Sequence, residues 1–187
     1  ISANTERTDI VPLPLGLTWV SAAAKAAGHE VLLLDLMTEN DCWSALGETI
    51  SSFHPEIIGI SVRNIDDQNM DRPKFLLDQV KSIVVQCRNL SGRPFILGGA
   101  GYSIFPEAAL RYLGADMGIQ GEGEWSFPLL IDRMERGDDI SGIPGLYVRD
   151  SGMRIKRVFS RDLDRFPLPA ADHTSLPAAA KENLWIP

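Results

Sequence analysis

The sequence predicts an α/β protein in which a parallel β-sheet is covered by helices on both faces. Short, wholly apolar segments alternate with longer segments whose apolar residues recur at helical spacing. Segments without polar residues are typical of strands that are buried on both sides. One of them runs directly into Gly98-Gly99-Ala100-Gly101 and then into a helical pattern, which is typical of the edge of a ligand-binding crevice.

Taken in order, the alternation gives a doubly wound sheet of five parallel strands. The predicted strands occupy residues 1–3, 31–34, 57–62, 95–97 and 117–120. The predicted helices that follow them occupy residues 15–27, 43–53, 76–87, 105–113 and 127–134. A residue that commonly ends a helix follows each of these, namely Gly28, Pro55, Gly92, Gly114 and Gly137.

The pattern changes after Ile140. Residues 146–149 and 154–157 flank a turn-forming Asp-Ser-Gly and predict a β-hairpin. The remainder is rich in Pro and Ala and predicts a linker. We therefore divide the chain into an α/β domain at 1–140, a hairpin extension at 141–160 and a linker at 161–187. Both ends resemble cut points, so we expect a fragment of a longer protein.

Composition excludes several classes of function. A net charge of −7 and a pI near 4.9 argue against nucleic acid as a partner, because phosphate binding needs a basic face. No apolar stretch has the length of a transmembrane helix, and no signal peptide is evident. Cys42 and Cys87 lie far apart in predicted helices, so we expect buried thiols in a reducing cytoplasm and no metal site.

Ligands of open α/β sheets bind beyond the carboxyl ends of the strands. Small, polar and glycine residues gather at these predicted ends: Asn4, Thr5, Asp35, Ser61, Val62, Arg63, Asn64, Gly98, Gly99, Ala100, Gly101, Tyr102, Ser103, Gly121, Glu122, Gly123 and Glu124. Glycine allows close approach by a ligand, but it also allows tight packing between a strand and a helix. The cluster therefore favours a ligand pocket, with packing as the alternative.

Dinucleotide binding is the first candidate for this pocket. It requires Gly-x-Gly-x-x-Gly after the first strand, whereas no glycine precedes Gly16 here. Asp35 has the position of a ribose-binding acid but is weak evidence by itself. A Walker A loop is absent, and Ser61 stands where a receiver domain would carry Asp. A ligand that penetrates the edge of the sheet beside the glycines fits better.

The order and spacing of several motifs resemble the N-terminal cobalamin-binding domain of cobalamin-dependent radical SAM enzymes. The matching segments are Pro14-Leu15-Gly16-Leu17, Ala26-Ala27-Gly28-His29-Glu30-Val31, Ile58-Gly59-Ile60-Ser61, Leu97-Gly98-Gly99-Ala100 and Gly121-Glu122-Gly123-Glu124. The resemblance implies a flavodoxin-like fold that holds the corrin at the strand ends. It also implies that the nucleotide tail of cobalamin lies against the glycines, and that Leu15, Gly16 and the strand-end residues contact the cofactor.

In this family a radical SAM barrel follows, with S-adenosylmethionine and a 4Fe-4S cluster, and methyl transfer is the expected chemistry. The present chain has no Cys-x-x-x-Cys-x-x-Cys motif, so the barrel is expected in a longer protein. Trp185 would contact that barrel. Binding and orientation are what this chain would contribute, and an enzymatic role would belong to the whole protein.

Many cobalamin domains place Asp-x-His-x-x-Gly after the first strand, where the His ligates cobalt, but this sequence has no such motif. His29, His54 and His173 are not expected to ligate cobalt, so cobalamin would be base-off without a protein His. We expect Arg63 or Asn64 to lie beneath the corrin. The alternative for Arg63 is an ion pair with a carboxylate of its own loop: Asp66, Asp67 or Asp71.

The remaining candidate contacts each have a simpler alternative. Glu122 and Glu124 would accept hydrogen bonds from corrin amides, although Glu124 also suits a helix N-terminus. Tyr102 and Ser103 would bond to amide side chains or to the nucleotide phosphate. Two other functions stay open: a doubly wound domain that binds a nucleotide or flavin, and a non-catalytic sensor or interaction module.

Overall fold

A computed structural model describes residues 1–6 and 12–169 of the protein. The helices are α1 (Leu15–Ala26), α2 (Cys42–Phe53), α3 (Leu77–Leu90), α4 (Ala100–Ile104), α5 (Pro106–Leu113) and α6 (Gly123–Arg136). The strands are β1 (Ile58–Ser61), β2 (Phe95–Gly98), β3 (Met117–Ile119), β4 (Leu146–Val148) and β5 (Gly152–Met153). No helix among these residues is long and apolar enough to cross a membrane.

The five strands form one sheet in the order β1-β2-β3-β4-β5. The first three run parallel, with Ile58 opposite Phe95 and Ile96 opposite Met117. The hairpin of β4 and β5 continues the sheet in antiparallel fashion from β3. The predicted hairpin is therefore part of the same sheet, which is mixed where the sequence predicted parallel pairing.

The first two predicted strands appear as isolated bridges beside β1. Ser2 forms parallel bridges with both Asp35 and Ser61. Its backbone amide donates to the carbonyl of Leu34 at 2.8 Å, and the amide of Ala3 donates to the carbonyl of Ser61 at 3.2 Å. Residues 1–3 therefore lie between the segment at 34–36 and β1, which gives the predicted strands the order 2-1-3-4-5 of flavodoxin-like sheets.

The prediction of a regular strand at 31–34 is wrong. Only Leu34 and its neighbours form backbone hydrogen bonds with residues 1–3. The helix predicted at 105–113 is confirmed as α5, but the short helix before it was not predicted. The chain forms α4 directly after Gly99, and α5 then begins with Pro106. The second hairpin strand pairs earlier than predicted, because a turn at 149–151 sets Gly152 opposite Val148.

Two apolar clusters cover the two faces of the sheet, as a doubly wound fold requires. The larger cluster joins the sheet to α2, α3 and α5, and it contains Leu46, Ile83 and Leu113. The smaller cluster surrounds Ile96 and includes Leu130 of α6. Helix α1 packs principally against α6, so this second face of the sheet is only partly filled. Both thiols are free, and Cys87 is buried in α3 as expected, whereas Cys42 at the start of α2 is only half-buried.

Candidate functional site

A cavity of about 1160 Å³ lies between the sheet and the layer formed by α1 and α6. Alternate residues of the first parallel strand, Gly59 and Ser61, face it together with Ile96 and Gly98 of β2. Val20 of α1 lines the opposite side, along with several apolar residues of α6. The cavity extends from the carboxyl ends of the strands to their amino ends, so it is deep enough to admit part of a ligand beneath the strand ends.

Most of the predicted site residues line this cavity. They are Asn4, Leu15, Gly16, Ser61, Arg63, Gly98, Gly99, Ala100, Ser103, Gly121, Glu122, Gly123 and Glu124, together with Asp35. Thr5 and Asn64 instead line a small neighbouring depression. Val62 and Tyr102 are fully buried, and Gly101 is buried with them, so these three lie behind the cavity wall.

The glycines after β2 have two different environments. A Cβ added at Gly98 would meet no atom within 4 Å, so this position opens onto the cavity. Gly99 has a φ of +96°, and a Cβ there would lie 2.5 Å from the carbonyl oxygen of Val62. A Cβ at Gly101 would lie 3.0 Å from the backbone of Arg63. Tight packing thus explains Gly99 and Gly101, whereas open space beside a strand end explains Gly98.

Ser103 ties the start of α4 to the turn after β3. Its hydroxyl donates to the carbonyl of Gly99 at 2.9 Å and accepts from the amide of Gly121 at 3.0 Å. The side-chain amide of Gln120 donates to the carbonyl of Ser103 at 2.9 Å. The two glycine-rich turns are therefore held side by side at the mouth of the cavity by hydrogen bonds within the protein.

Tyr102 is packed inside the protein, and Glu122 is hydrogen-bonded to the backbone of another segment. The phenol of Tyr102 is buried against Gly118, and burial raises the pKa of Tyr102. Its hydroxyl has no hydrogen-bond partner among the described residues. The carboxylate of Glu122 accepts from the backbone amide of Ser160 at 2.8 Å. Glu124 lies in the first turn of α6, where a negative charge favours the helix dipole.

Asp35 and Arg63 bring opposite charges to the upper part of the cavity. Asp35 is only 6% exposed, and its carboxylate accepts from the backbone amide of Met37 at 3.3 Å. Burial raises the pKa of Asp35, while the attraction of Arg63 is among the effects that oppose the rise. The side chain of Arg63 is exposed at the strand ends.

The ion pairs found among the described residues join Arg63 to none of the carboxylates of its loop. Asp66 accepts from the amide of Gln68, and Asp67 accepts from the amide of Lys74. Asp66 and Asp67 thus each bind a backbone amide of their own loop, and Asp71 forms no ion pair with Arg63 among the described residues. Arg63 is therefore available to face the cavity that it lines.

The described histidines lie at the amino ends of the strands. His54 follows α2 and precedes β1, and His29 follows α1. The imidazole of His29 lies 3.5 Å from Asp132 and 3.4 Å from Glu135, where it links α1 to α6. One ligand atom from each of these three residues falls within 4.8 Å of the others. His173 and Trp185 lie outside the described residues.

Sequence reasoning missed part of the cavity wall. Phe127 and Ile131 of α6 line it, although their helical spacing indicated only a core-facing stripe. That stripe was the available signal, because a face that covers a sheet also covers a cavity in that sheet. Phe159 lines the cavity from beyond the hairpin, and no pattern in the sequence indicates this contact.

The comparison with protein-family models gives a match to the B12 binding domain over residues 6–131. The chain is 30% identical over 160 residues to tryptophan 2-C-methyltransferase of Streptomyces laurentii, covering 84% of this chain and 27% of that protein. It is 28% identical over 161 residues to hopanoid C-3 methylase of Methylococcus capsulatus, covering 85% and 29% respectively. The chain thus spans less than a third of the length of these two relatives.

Solved structures of cobalamin-dependent enzymes share the fold of this chain. The radical S-adenosylmethionine methyltransferase TsrM from Kitasatospora setae, with cobalamin and a [4Fe-4S] cluster bound, superimposes with a TM-score of 0.73 at 29% identity. The match covers 83% of this chain and 29% of that one. The cobalamin-dependent S-adenosylmethionine radical enzyme OxsB shares the fold at 20% identity and a TM-score of 0.67, covering 88% and 22%. Since the family model spans more than half of its length, this chain belongs to the B12-binding domain family.

Proposed function

We propose that this chain holds cobalamin base-off, with the nucleotide tail in the cavity and without a histidine ligand, as part of a cobalamin-dependent radical SAM methyltransferase. The observation that carries the proposal is the cavity that passes Gly98 and continues beneath the strand ends. The relatives of this chain include methyltransferases, and the structure of one methyltransferase was solved with cobalamin bound. The family membership supports cobalamin as the cofactor, and the cavity offers enough space for the nucleotide tail of cobalamin.

The cavity walls suit a nucleotide tail. Gly98 and Gly16 leave open space where a side chain would otherwise stand. Phe127, Ile131 and Ile96 offer apolar surface, which favours a flat aromatic base. The cavity volume of about 1160 Å³ is slightly above the ~300–1,000 Å³ that is typical of ligand pockets. We assign the tail to this space and the corrin to the strand ends above it.

We propose that no histidine ligates cobalt because of where the histidines lie in the described part of the chain. His29 and His54 lie at the amino ends of the strands, while the corrin would lie at the carboxyl ends. Arg63 is the charged side chain that we assign to the lower face of the corrin. A guanidinium does not ligate cobalt, and by its charge and volume it disfavours another ligand there.

When bound, cobalamin would carry the methyl group that the whole enzyme transfers. The residues of this chain bind and orient it and keep water from its buried tail. We propose that residues 1–140 form the cobalamin domain, 141–160 its hairpin extension, and 161–187 the linker to a radical SAM domain with S-adenosylmethionine and a 4Fe-4S cluster. The predicted strand-end residues that line the cavity are the proposed cofactor contacts, except Glu122, whose carboxylate binds the amide of Ser160.

The test is an ultraviolet–visible titration of the chain with hydroxocobalamin and then methylcobalamin. We expect saturable binding and, with methylcobalamin, a shift to the base-off spectrum. Binding in the base-on form would overturn the buried tail. No binding by the chain, and none by a longer version that includes the following domain, would overturn the cobalamin assignment and favour a nucleotide or flavin.

The assignment of Arg63 has its own test. Arg63→Ala should change the spectrum of bound cobalamin, because water or another ligand then reaches the lower face of cobalt. Arg72→Ala is the matched control, since Arg72 is an exposed arginine of the same loop that does not line the cavity. An Arg63→Ala spectrum identical to that of the unaltered chain would rule out this position for the guanidinium.

A further inference from the structure

The segment at 157–160, which follows β5, lies beside the turn after β3 and brings Phe159 to the cavity. Phe159 lines the cavity, yet its side chain is 57% exposed. A ligand that covered this large apolar side chain would remove it from water, which lowers the free energy of the complex. The segment lies outside the strand ends at which α/β proteins ordinarily bind their ligands.

Glu122 anchors the far end of this segment. Its carboxylate accepts a hydrogen bond from the backbone amide of Ser160 at 2.8 Å, across 38 residues of sequence. The hydroxyl of Ser160 donates to the carbonyl of Asp162 at 2.8 Å, which fixes the chain just beyond. A hydrogen bond to a charged acceptor is among the stronger kinds, so this contact defines where Phe159 lies.

Arg157 anchors the near end by packing on two glycines. A Cβ at Gly121 would lie 3.2 Å from Cδ of Arg157, and a Cβ at Gly145 would lie 3.4 Å from its Cβ. The amide of Gly145 also donates to the carbonyl of Ile155 at 2.9 Å. The guanidinium of Arg157 then lies 5.0 Å from the ring centroid of Phe159, within the range of a cation–π contact.

We propose that residues 157–160 form a retaining strap, in which Phe159 packs against bound cobalamin and slows its release. The inference rests on the proposed function, because it takes cobalamin to be the occupant of the cavity. Both anchors hold the ring at the rim, so a bound cofactor meets it without rearrangement of the segment. The strap makes Phe159 a positioning contact, and it gives Glu122 the role of holding the strap.

The test compares release rates of hydroxocobalamin from the loaded chain after dilution, followed by absorbance. Phe159→Ala should release the cofactor roughly twofold to twelvefold faster, the size that an aromatic contact of ~0.5–1.5 kcal/mol would give. Val85→Ala is the control, because Val85 is a 52% exposed apolar residue of α3 that neither belongs to the strap nor lines the cavity. Its release rate should equal that of the unaltered chain.

The anchor is tested by a pair of substitutions. Glu122→Ala should speed release as Phe159→Ala does, whereas Glu122→Gln should restore slow release because its carbonyl oxygen still accepts from Ser160. Unchanged release from Phe159→Ala, with normal binding by the unaltered chain, would overturn the strap and leave the cobalamin site standing. Failure of the unaltered chain to bind hydroxocobalamin would overturn the proposed function, and the strap with it.

Discussion

Gly98 and Gly99 are adjacent in sequence but serve different purposes. Gly98 opens onto the cavity with no neighbour that a side chain would strike. Gly99 has a positive φ and a backbone oxygen directly in the path of a Cβ. The proposed ligand would pass the first position, whereas the second matters to the fold, so substitutions at the two positions can separate binding from stability.

Gly98→Leu should fill the upper cavity and weaken cobalamin binding on the order of tenfold or more, as overpacking by about 1–3 kcal/mol would give. Its melting temperature should stay close to that of the unaltered chain. Gly99→Ala should instead lower the free energy of unfolding by about 1–3 kcal/mol, because it forces a side chain into a strained backbone conformation. Cobalamin titration and urea unfolding measure the two effects.

Gly92→Ala is the control for both substitutions, since Gly92 is exposed and has no atom within 4 Å of an added Cβ. It should alter neither binding nor unfolding. If Gly98→Leu bound cobalamin as tightly as the unaltered chain, the ligand would not pass this strand end.

Asp35 makes stability depend on pH. Burial raises its pKa above the usual value of 3.8, so folding favours the protonated carboxyl. The resulting stabilisation is complete below 3.8 and is lost as the pH rises through the pKa of the folded state. Urea unfolding across this range should show a fall in stability that Asp35→Asn lacks, because an amide does not titrate.

Asp41 provides a control of opposite sign. Backbone amides of Ser44 and Trp43 donate to its carboxylate at the start of α2 and lower its pKa. Its stabilisation is therefore present above the unfolded pKa and is lost as the pH falls through the folded one. Asp41→Asn should remove that loss at low pH. If the stability of Asp35→Asn and Asp41→Asn depended on pH in the same way, the raised pKa assigned to Asp35 would be contradicted.

At the scale of elements, helices were predictable where one face is apolar. In α2 the stripe of Leu46 and Ile50 is buried as expected, and the helix ends at Phe53. The parallel strands were predicted from their short apolar runs, which are buried in β2 and β3 and alternate between buried and half-buried residues in β1. These features depend on residues close in sequence, so the sequence displays them directly.

Elements whose form depends on distant partners were not predictable. Residues 31–34 have the composition of a strand, but pairing depends on the short segment that lies beside them. Helix α4 is five residues long, and its start is set by the backbone of Gly99 against Val62. Phe159 reaches the cavity because the hairpin extends the sheet, a consequence of tertiary packing that its local sequence does not show.

Asp116 joins three elements and should be important for stability. Its carboxylate accepts from Arg149 at 2.7 Å, from Arg88 of α3 at 3.3 Å and from the amide of Phe95 at 2.9 Å. Asp116→Ala should lower the free energy of unfolding by roughly 1.5–3 kcal/mol, the size of lost hydrogen bonds to a charged group. Chemical denaturation gives this value directly.

Glu107→Ala is the matched control for Asp116→Ala. Its ion pair with Arg111 lies on the exposed face of α5, where such a pair contributes only about 0.3–0.5 kcal/mol. Equal effects of the two substitutions would show that Asp116 does not connect the elements as its contacts indicate.

At the scale of the whole molecule, the partly filled face between the sheet and α1–α6 should make stability depend on the ligand. A ligand that binds only the folded chain at 100 times its Kd adds about 2.7 kcal/mol. The melting temperature should therefore rise with hydroxocobalamin concentration. The Gly98→Leu variant should show a much smaller rise, and a constant melting temperature in the unaltered chain would contradict ligand binding to the folded cavity.

The antiparallel hairpin also determines how the protein meets other copies of itself. Without it, β3 would present a row of unpaired amides and carbonyls to solvent, and such edges promote aggregation by strand addition. With it, the edge on this side of the sheet is β5, which is only the two residues Gly152–Met153 and follows a sharp turn. So short an edge is a poor template for another chain. The hairpin thus protects the sheet against aggregation, and the segment that follows it brings Phe159 to the cavity.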